Sequence, residues 1–207
     1  MMLWSEGPAS ILANFDADQR EEWLVTLVRG EETACIGITE PDAGSDVPNI
    51  QTTARKDGDE WIIDGRKRYI TNAVFADTAQ ILAKTDRAEG IEGMAMFLVD
   101  TDNPGFEVGP INRNIMMDGI TADLKLEHCR VHEDQLVGDV GDGLPLALGW
   151  INWRRVNRPG LPGGPDSRRS GPQGQEDARD EPVPGRGPRA GGADGRRSSR
   201  ELSQPDG

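Results

Sequence analysis

Cys35-Ile36-Gly37-Ile38-Thr39-Glu40-Pro41-Asp42-Ala43-Gly44-Ser45-Asp46 is the stretch that decides how this chain folds. Four apolar or small residues run into a turn in which Pro41 fixes φ and Gly44 releases it, while Asp42, Ser45 and Asp46 can bond nearby backbone amides. The expected result is a rigid turn at a strand end. Hydroxyls and amides line it, so a polar ring system or a phosphate could be held there with little movement. From local composition alone, a plain capped loop between strands is the simpler reading.

The second stretch outward is Trp61-Ile62-Ile63-Asp64-Gly65-Arg66-Lys67-Arg68-Tyr69-Ile70-Thr71-Asn72-Ala73. It reads as a hairpin: an apolar strand, an Asp-Gly turn at Asp64-Gly65, and a second strand ending in Tyr-Ile-Thr-Asn. Taken together, the two stretches resemble the middle domain of the acyl-CoA dehydrogenase family. That family carries a T-E-P-x-A-G-S-D loop followed some two dozen residues later by G-x-K-x-[WYF]-I-T-N, and both occur here in order. Further on, Leu126-Glu127-His128-Cys129-Arg130-Val131 resembles the family's F-E-D-V-x-V strand, and Leu136-Val137-Gly138 with Gly141-Asp142-Gly143 resembles its L-x-G-x-x-G-x-G turn. The likeness therefore extends to about Gly149. It departs from the family at Asn114-Ile115-Met116-Met117-Asp118-Gly119, where many members have M-G-x-R, so that contact does not carry over.

Around these motifs the chain is strand country. Ile50 to Lys56, Trp61 to Asp64, Arg68 to Thr71, Thr78 to Lys84, Ala95 to Val99, Phe106 to Pro110, Asp123 to Leu126 and Gln135 to Val137 are short and often alternate, with Gly, Asp, Asn or Pro between them. The fold class expected is mainly β, a sandwich or barrel, with short flanking helices. Before it, Asp16 can cap a helix in which Trp23, Leu24, Leu27 and Val28 recur at near-helical spacing, and Gly30 stops it. After it, Leu144 to Val156 starts an amphipathic helix with Leu144, Leu148, Ile151 and Arg155 near one stripe.

From Gly160 to Gly207 there is no aromatic, Ile, Met, Cys or Lys, so nothing there can build a core. A disordered tail is expected. It begins where the resemblance calls for long helices. Out-of-frame translation of a GC-rich gene would produce such a composition, and a genuine disordered linker is the rival. The division expected is 1–32, the end of an N-terminal helical domain; 33–140, the middle β domain; 141–159, the first helix of a C-terminal domain; and 160–207, the tail.

Composition narrows the function classes. The 207 residues are 35% hydrophobic and carry a formal charge of −13, which argues against nucleic-acid binding or anionic membrane binding, since both need a basic surface. Cys35 and Cys129 are far apart with no metal-type spacing, so reduced thiols in a cytoplasmic protein are expected. His128 and His132 lie on one strand, about 13 Å apart at strand rise, so no metal site is expected of them. Glu40, Asp42 and Asp46 could form an acid/base cluster, but turn capping and charge pairing are the simpler account.

The resemblance implies an FAD-dependent oxidoreductase that forms the α,β double bond of an acyl-CoA thioester and passes electrons to an electron-transfer flavoprotein or a similar acceptor. Position by position, it implies that Ile36, Ile38, Thr39, Gly44 and Ser45 line the flavin on one side and Tyr69, Ile70 and Thr71 on the other. Ser45 and Arg155 would touch the acyl-CoA. The family assembles as homo-oligomers. Its catalytic carboxylate lies in the C-terminal domain, and no residue before Gly160 matches it. The alternatives are therefore an inactive fragment that binds flavin or CoA without turnover, or a structural subunit of a full-length paralogue. The chain by itself is expected to lack dehydrogenase activity.

Overall fold

A computed structural model describes residues 9–86, 90–112 and 121–156. The expectations for the Asn114–Gly119 segment and for the tail from Gly160 onward fall outside these residues.

Eight strands make one open sheet: β1 (Ala34–Gly37), β2 (Thr53–Asp57), β3 (Glu60–Thr71), β4 (Thr78–Thr85), β5 (Met94–Asp100), β6 (Phe106–Asn112), β7 (Thr121–His132) and β8 (Leu136–Val137). Their order is β6-β7-β3-β2-β4-β5-β8, with β1 paired to β4 off this path. The mainly β expectation holds, and the sheet does not close into a barrel.

The adjacent strands β4 and β5 are buried almost throughout because both of their faces are covered; β5 is apolar up to Asp100, whereas β4 carries Thr78, Gln80, Lys84 and Thr85 among its apolar residues. Successive side chains alternate between faces. Ala95, Phe97 and Val99 therefore join Ile81, Ala83, Trp61, Ile63, Leu124 and Leu126 in one core, while Met94, Met96 and Leu98 join Leu82 in another. The rings of Trp61 and Phe97 meet in a tilted contact, centroids 5.3 Å apart, in the first core. The second core is roofed by helices. These are α1 (Ala9–Leu12), then α2 (Ala17–Gln19), which runs on through a π turn (Arg20–Leu24) into α3 (Val25–Arg29), and lastly α4 (Gly143–Val156). They contribute the buried residues Ile11, Leu12, Trp23, Leu144 and Ala147, and the turn between α1 and α2 adds Phe15.

Local signals explain the helix ends. Asp16 accepts the Gln19 amide at 2.9 Å while the Gln19 side chain accepts the Asp16 amide at 2.9 Å, a reciprocal capping box. Gly30 ends α3 in the left-handed region at φ 71°. The expected apolar faces are only partly right. Val28 is 72% exposed, because the π turn puts an extra residue into the helix and rotates the residues after it. On α4, Leu148 is also exposed, and the buried stripe is Leu144 and Ala147. The start of α4 lies so close to β5 that a Cβ on Gly143 would stand 2.7 Å from the Ala95 carbonyl carbon. That contact fixes the rotation of the helix.

Asp64-Gly65 is not a turn. β3 runs straight through it, and the hairpin turn lies earlier, at Gly58-Asp59, with Asp57 opposite Glu60. Gly65 is needed for a different reason: a Cβ there would lie 2.4 Å from Thr52 Oγ1 and 2.7 Å from Thr52 Cα. Asp64 instead accepts the His128 amide at 2.7 Å. His128 is at φ 49° and belongs to the extra residue of β7 that shifts the β3–β7 register between Ile63 and Gly65.

Candidate functional site

The lower half of β4, from Thr78 to Ile81, pairs with β1, whereas its upper end, Lys84 and Thr85, pairs with β2. Between those pairings the chain leaves the sheet as the 38–52 loop, which holds the Thr-Glu-Pro motif, and returns where the Lys84 amide donates to the Thr52 carbonyl at 2.9 Å. The Pro41 turn is closed by the Glu40 amide on the Ala43 carbonyl at 2.9 Å.

The loop meets β3 at its second motif. The Arg68 amide donates to the Thr39 carbonyl at 2.8 Å, so Thr39 is tied next to Arg68-Tyr69-Ile70-Thr71. The two motif stretches expected to flank one ligand are thus brought together along one edge. Thr39 is half-buried, whereas Gly44, Ser45, Tyr69 and Thr71 are exposed. Among the described residues, no side-chain or backbone group holds the hydroxyls of Thr39, Ser45 or Thr71. Ile38 and Ile70 point into the two cores, and Ile36 packs against the helix-side core, so these three residues face the edge only through their main chain. Arg155 lies in α4, and its side chain falls outside the described residues.

Tyr69 is held in an unusual state. Its φ is 60°, in the left-handed region that costs a non-glycine residue roughly 1–3 kcal/mol. The cause is a bulge: β3 uses three steps from Lys67 to Ile70 where β7 uses two from Leu124 to Ala122. The bulge turns the aromatic ring out of the sheet, and it is 58% exposed. Asp123 on β7 braces it, accepting the Tyr69 amide at 3.4 Å and lying 3.8 Å from Arg68 Nε. The Arg68 guanidinium stands 5.0 Å from the Tyr69 ring centroid. Residue pattern alone gave no signal for Asp123.

Behind the edge lies a buried ion pair. Lys67 is fully buried, and its Nζ donates to Glu40 Oε1 at 2.8 Å and to the Ile38 carbonyl at 3.4 Å. Glu40 also accepts the Thr52 hydroxyl at 2.5 Å, the Thr52 amide at 3.0 Å and the Gln51 amide at 2.5 Å. Burial works against the Glu40 charge, but Lys67 and these hydrogen bonds outweigh it and hold the carboxyl below its usual range. Burial dominates at Lys67 and pushes its ammonium down to about 8, with Glu40 acting the other way. Charge pairing of Glu40 was expected, but its partner was not. Asp42 and Asp46 stay exposed on the turn, so no acid/base cluster forms.

An open cleft of about 420 Å³ lined by Lys56, Trp61, Glu133, Leu136, Asp139 and Val140 contains none of these residues. The candidate site is the open edge where the two motifs meet. An exposed aromatic, three unpartnered hydroxyls and a rigid turn suit the flat face and polar rim of a fused ring held from one side. Among the described residues no helix is long and apolar enough to cross a membrane.

Residues 35–129 match the family model described as acyl-CoA dehydrogenase, middle domain. The chain is 36% identical over 140 residues to the 3-(aryl)acrylate reductase of Clostridium sporogenes, covering 67% of this chain and 37% of that protein. It is 35% identical over 140 residues to the human mitochondrial short-chain specific acyl-CoA dehydrogenase, covering 67% of this chain and 34% of the relative. Among solved structures, the glutaryl-CoA dehydrogenase of Mycobacterium smegmatis in complex with FADH2 superposes with a TM-score of 0.64 at 36% identity, over 72% of this chain and 37% of that one. The chain thus spans little more than a third of the length of the relatives it matches.

Proposed function

The chain belongs to the acyl-CoA dehydrogenase family, and from that membership we propose that it forms the β wall of an FAD-dependent site that dehydrogenates an acyl-CoA thioester across Cα–Cβ. The observation that carries the reading is the Arg68 amide on the Thr39 carbonyl, which sets the two motif stretches side by side with their hydroxyls and the Tyr69 ring outward. The solved Mycobacterium smegmatis relative in complex with FADH2 supports the choice of cofactor.

In this reading Thr39 and Thr71 donate hydrogen bonds to the polar rim of the flavin. The main chain of Ile36, Ile38 and Ile70 and the open turn at Gly44 line it, and Tyr69 covers part of its face. Ser45 and Arg155 contact the acyl-CoA. Bound flavin would supply the hydride acceptor for the substrate's β-carbon. The residues of this chain hold and orient, and holding two reactants in line is itself worth several kcal/mol of barrier. A rigid turn and a braced bulge do this with little reorganisation. Residues 33–140 form the ligand-facing domain, with 1–32 and 141–159 belonging to helical domains on either side. We further assign an electron-transfer flavoprotein or similar acceptor and a homo-oligomeric state by family. Buried, unpaired Cys35 and Cys129 fit a reducing compartment, and we place the protein in the cytoplasm.

FAD titration followed by flavin fluorescence tests this reading. Thr39→Val removes one hydroxyl at nearly constant volume and should weaken binding by about 0.5–1.5 kcal/mol, up to roughly tenfold. Tyr69→Ala should weaken it as well. Unchanged titrations for both variants would reject the site.

A further inference from the structure

Glu40 and Lys67 are among the least exposed residues of the chain, with side chains 4% and 0% exposed, yet both are ionisable. Burying two ions costs more than their attraction returns unless the geometry is good and every remaining lone pair is used, and apolar residues of similar volume would fill the space at less cost. Here the geometry is good. The Glu40 carboxylate sits near the start of the 38–52 loop and gathers the Gln51 and Thr52 amides and the Thr52 hydroxyl, at the point where that loop rejoins the sheet. From β3, Lys67 reaches across to Glu40 and to the Ile38 carbonyl. The next residue of β3, Arg68, donates its amide to Thr39, the residue before Glu40.

We propose that the Glu40–Lys67 pair is a positioning device that locks the 38–52 loop to β3 in one register, and so sets Thr39 against Tyr69 and Thr71 at the ligand-facing edge. Its effect on flavin rests on the function proposed above, whereas the lock itself rests on this chain's own contacts. An apolar contact would let the loop slide along β3. Directional bonds from one carboxylate to Gln51, Thr52 and Lys67 do not allow that. Glu40 and Lys67 touch no ligand in this scheme and act through Thr39 and the Tyr69 bulge.

The test compares the 207-residue chain with Glu40→Gln, Lys67→Met and the double variant, using thermal unfolding, FAD titration and amide hydrogen exchange. Each single change should weaken FAD binding about tenfold, the equivalent of about 1.4 kcal/mol, and should speed exchange of the Arg68 amide by a similar factor. Core amides such as Ile81 and Leu98 should exchange as in the wild type. The double variant leaves no unpaired buried charge, so it should regain thermal stability while keeping weak FAD binding and fast Arg68 exchange. That split marks positioning rather than mere support. If the single variants fail to fold, the double variant decides. Wild-type FAD affinity and wild-type Arg68 protection in the folded double variant would overturn the proposal and leave the flavin reading intact. If no variant and not the wild type binds FAD, the flavin reading fails and Arg68 exchange alone decides: faster exchange in the variants supports the lock, and unchanged exchange overturns it.

Discussion

Replacing Gly65 by alanine tests how the two motif stretches are joined. The new Cβ would lie 2.4 Å from Thr52 Oγ1 and 2.7 Å from Thr52 Cα, whereas an ordinary contact begins at 3.4 Å, so something must move by about an ångström. Thr52 has little freedom to yield. It is fully buried, its hydroxyl and amide are committed to Glu40, and its carbonyl accepts the Lys84 amide. Overpacking of this kind costs about 1–3 kcal/mol. Displacing the Thr52 hydroxyl from a charged acceptor adds about 1.5–3 kcal/mol if that bond breaks. Removing a strand glycine returns only about 0.5–1 kcal/mol. With that bond broken the expected net loss is about 1.5–5.5 kcal/mol, measured by urea unfolding with the fluorescence of the buried tryptophans as signal. Gly58→Ala is the control. It sits at φ 62° with open space around it, so it should lose only about 1 kcal/mol, from backbone strain. Were Asp64-Gly65 the hairpin turn that its residues suggest, Gly65→Ala would meet no packed side chain. A loss below about 0.5 kcal/mol would refute the account of this contact.

The ionisable groups lead to two more expected outcomes. The Lys67 ammonium is held at about 8 against an ordinary 10.5, so between those values the unfolded chain binds more protons than the folded one, and stability should rise with pH across that window. At roughly 1.4 kcal/mol per pH unit the rise could reach about 3 kcal/mol. Unfolding curves at pH 8 and pH 10 should show this excess in the wild type relative to Lys67→Met, and parallel curves for the two would contradict it. The thiols of Cys35 and Cys129 are both pushed up to about 12, chiefly by burial. A thiol reagent at pH 8 should therefore label neither in the folded chain and both after unfolding, and rapid labelling of the native protein would show that these cores are open.

Much of this architecture could be read from residue patterns because the physical cause was local. β5 is apolar on both faces up to Asp100, Asp16 is followed three residues on by Gln19, and Gly30 stands where a helix must stop. What escaped was set by tertiary contacts. Asp64-Gly65 has the composition of a turn, but the small residue is there because Thr52 crosses it, a contact between residues 13 apart in sequence that no local rule predicts. Val28 and Leu148 carry apolar side chains at plausible spacings, yet a π turn and the close docking of Gly143 on Ala95 rotate them into solvent. At the site, the motif residues were legible as motifs. Lys67 reads as one more surface cation in the run Arg66-Lys67-Arg68, and only the alternation along β3 places it inward between two exposed or half-exposed arginines. The bulge that exposes Tyr69 depends on its pairing with β7, and so does the role of Asp123.

The proposed flavin site is the edge joining Thr39 to the Tyr69–Thr71 stretch. The most direct measurement is the change in backbone amide resonances when FAD is added to the isotopically labelled 207-residue chain. Shifts are expected to concentrate in residues 36–45 and 69–71, with β6 and the Gly58-Asp59 turn unmoved. Shifts confined to the cleft around Trp61, Glu133 and Val140, or no shifts at saturating FAD, would contradict that assignment.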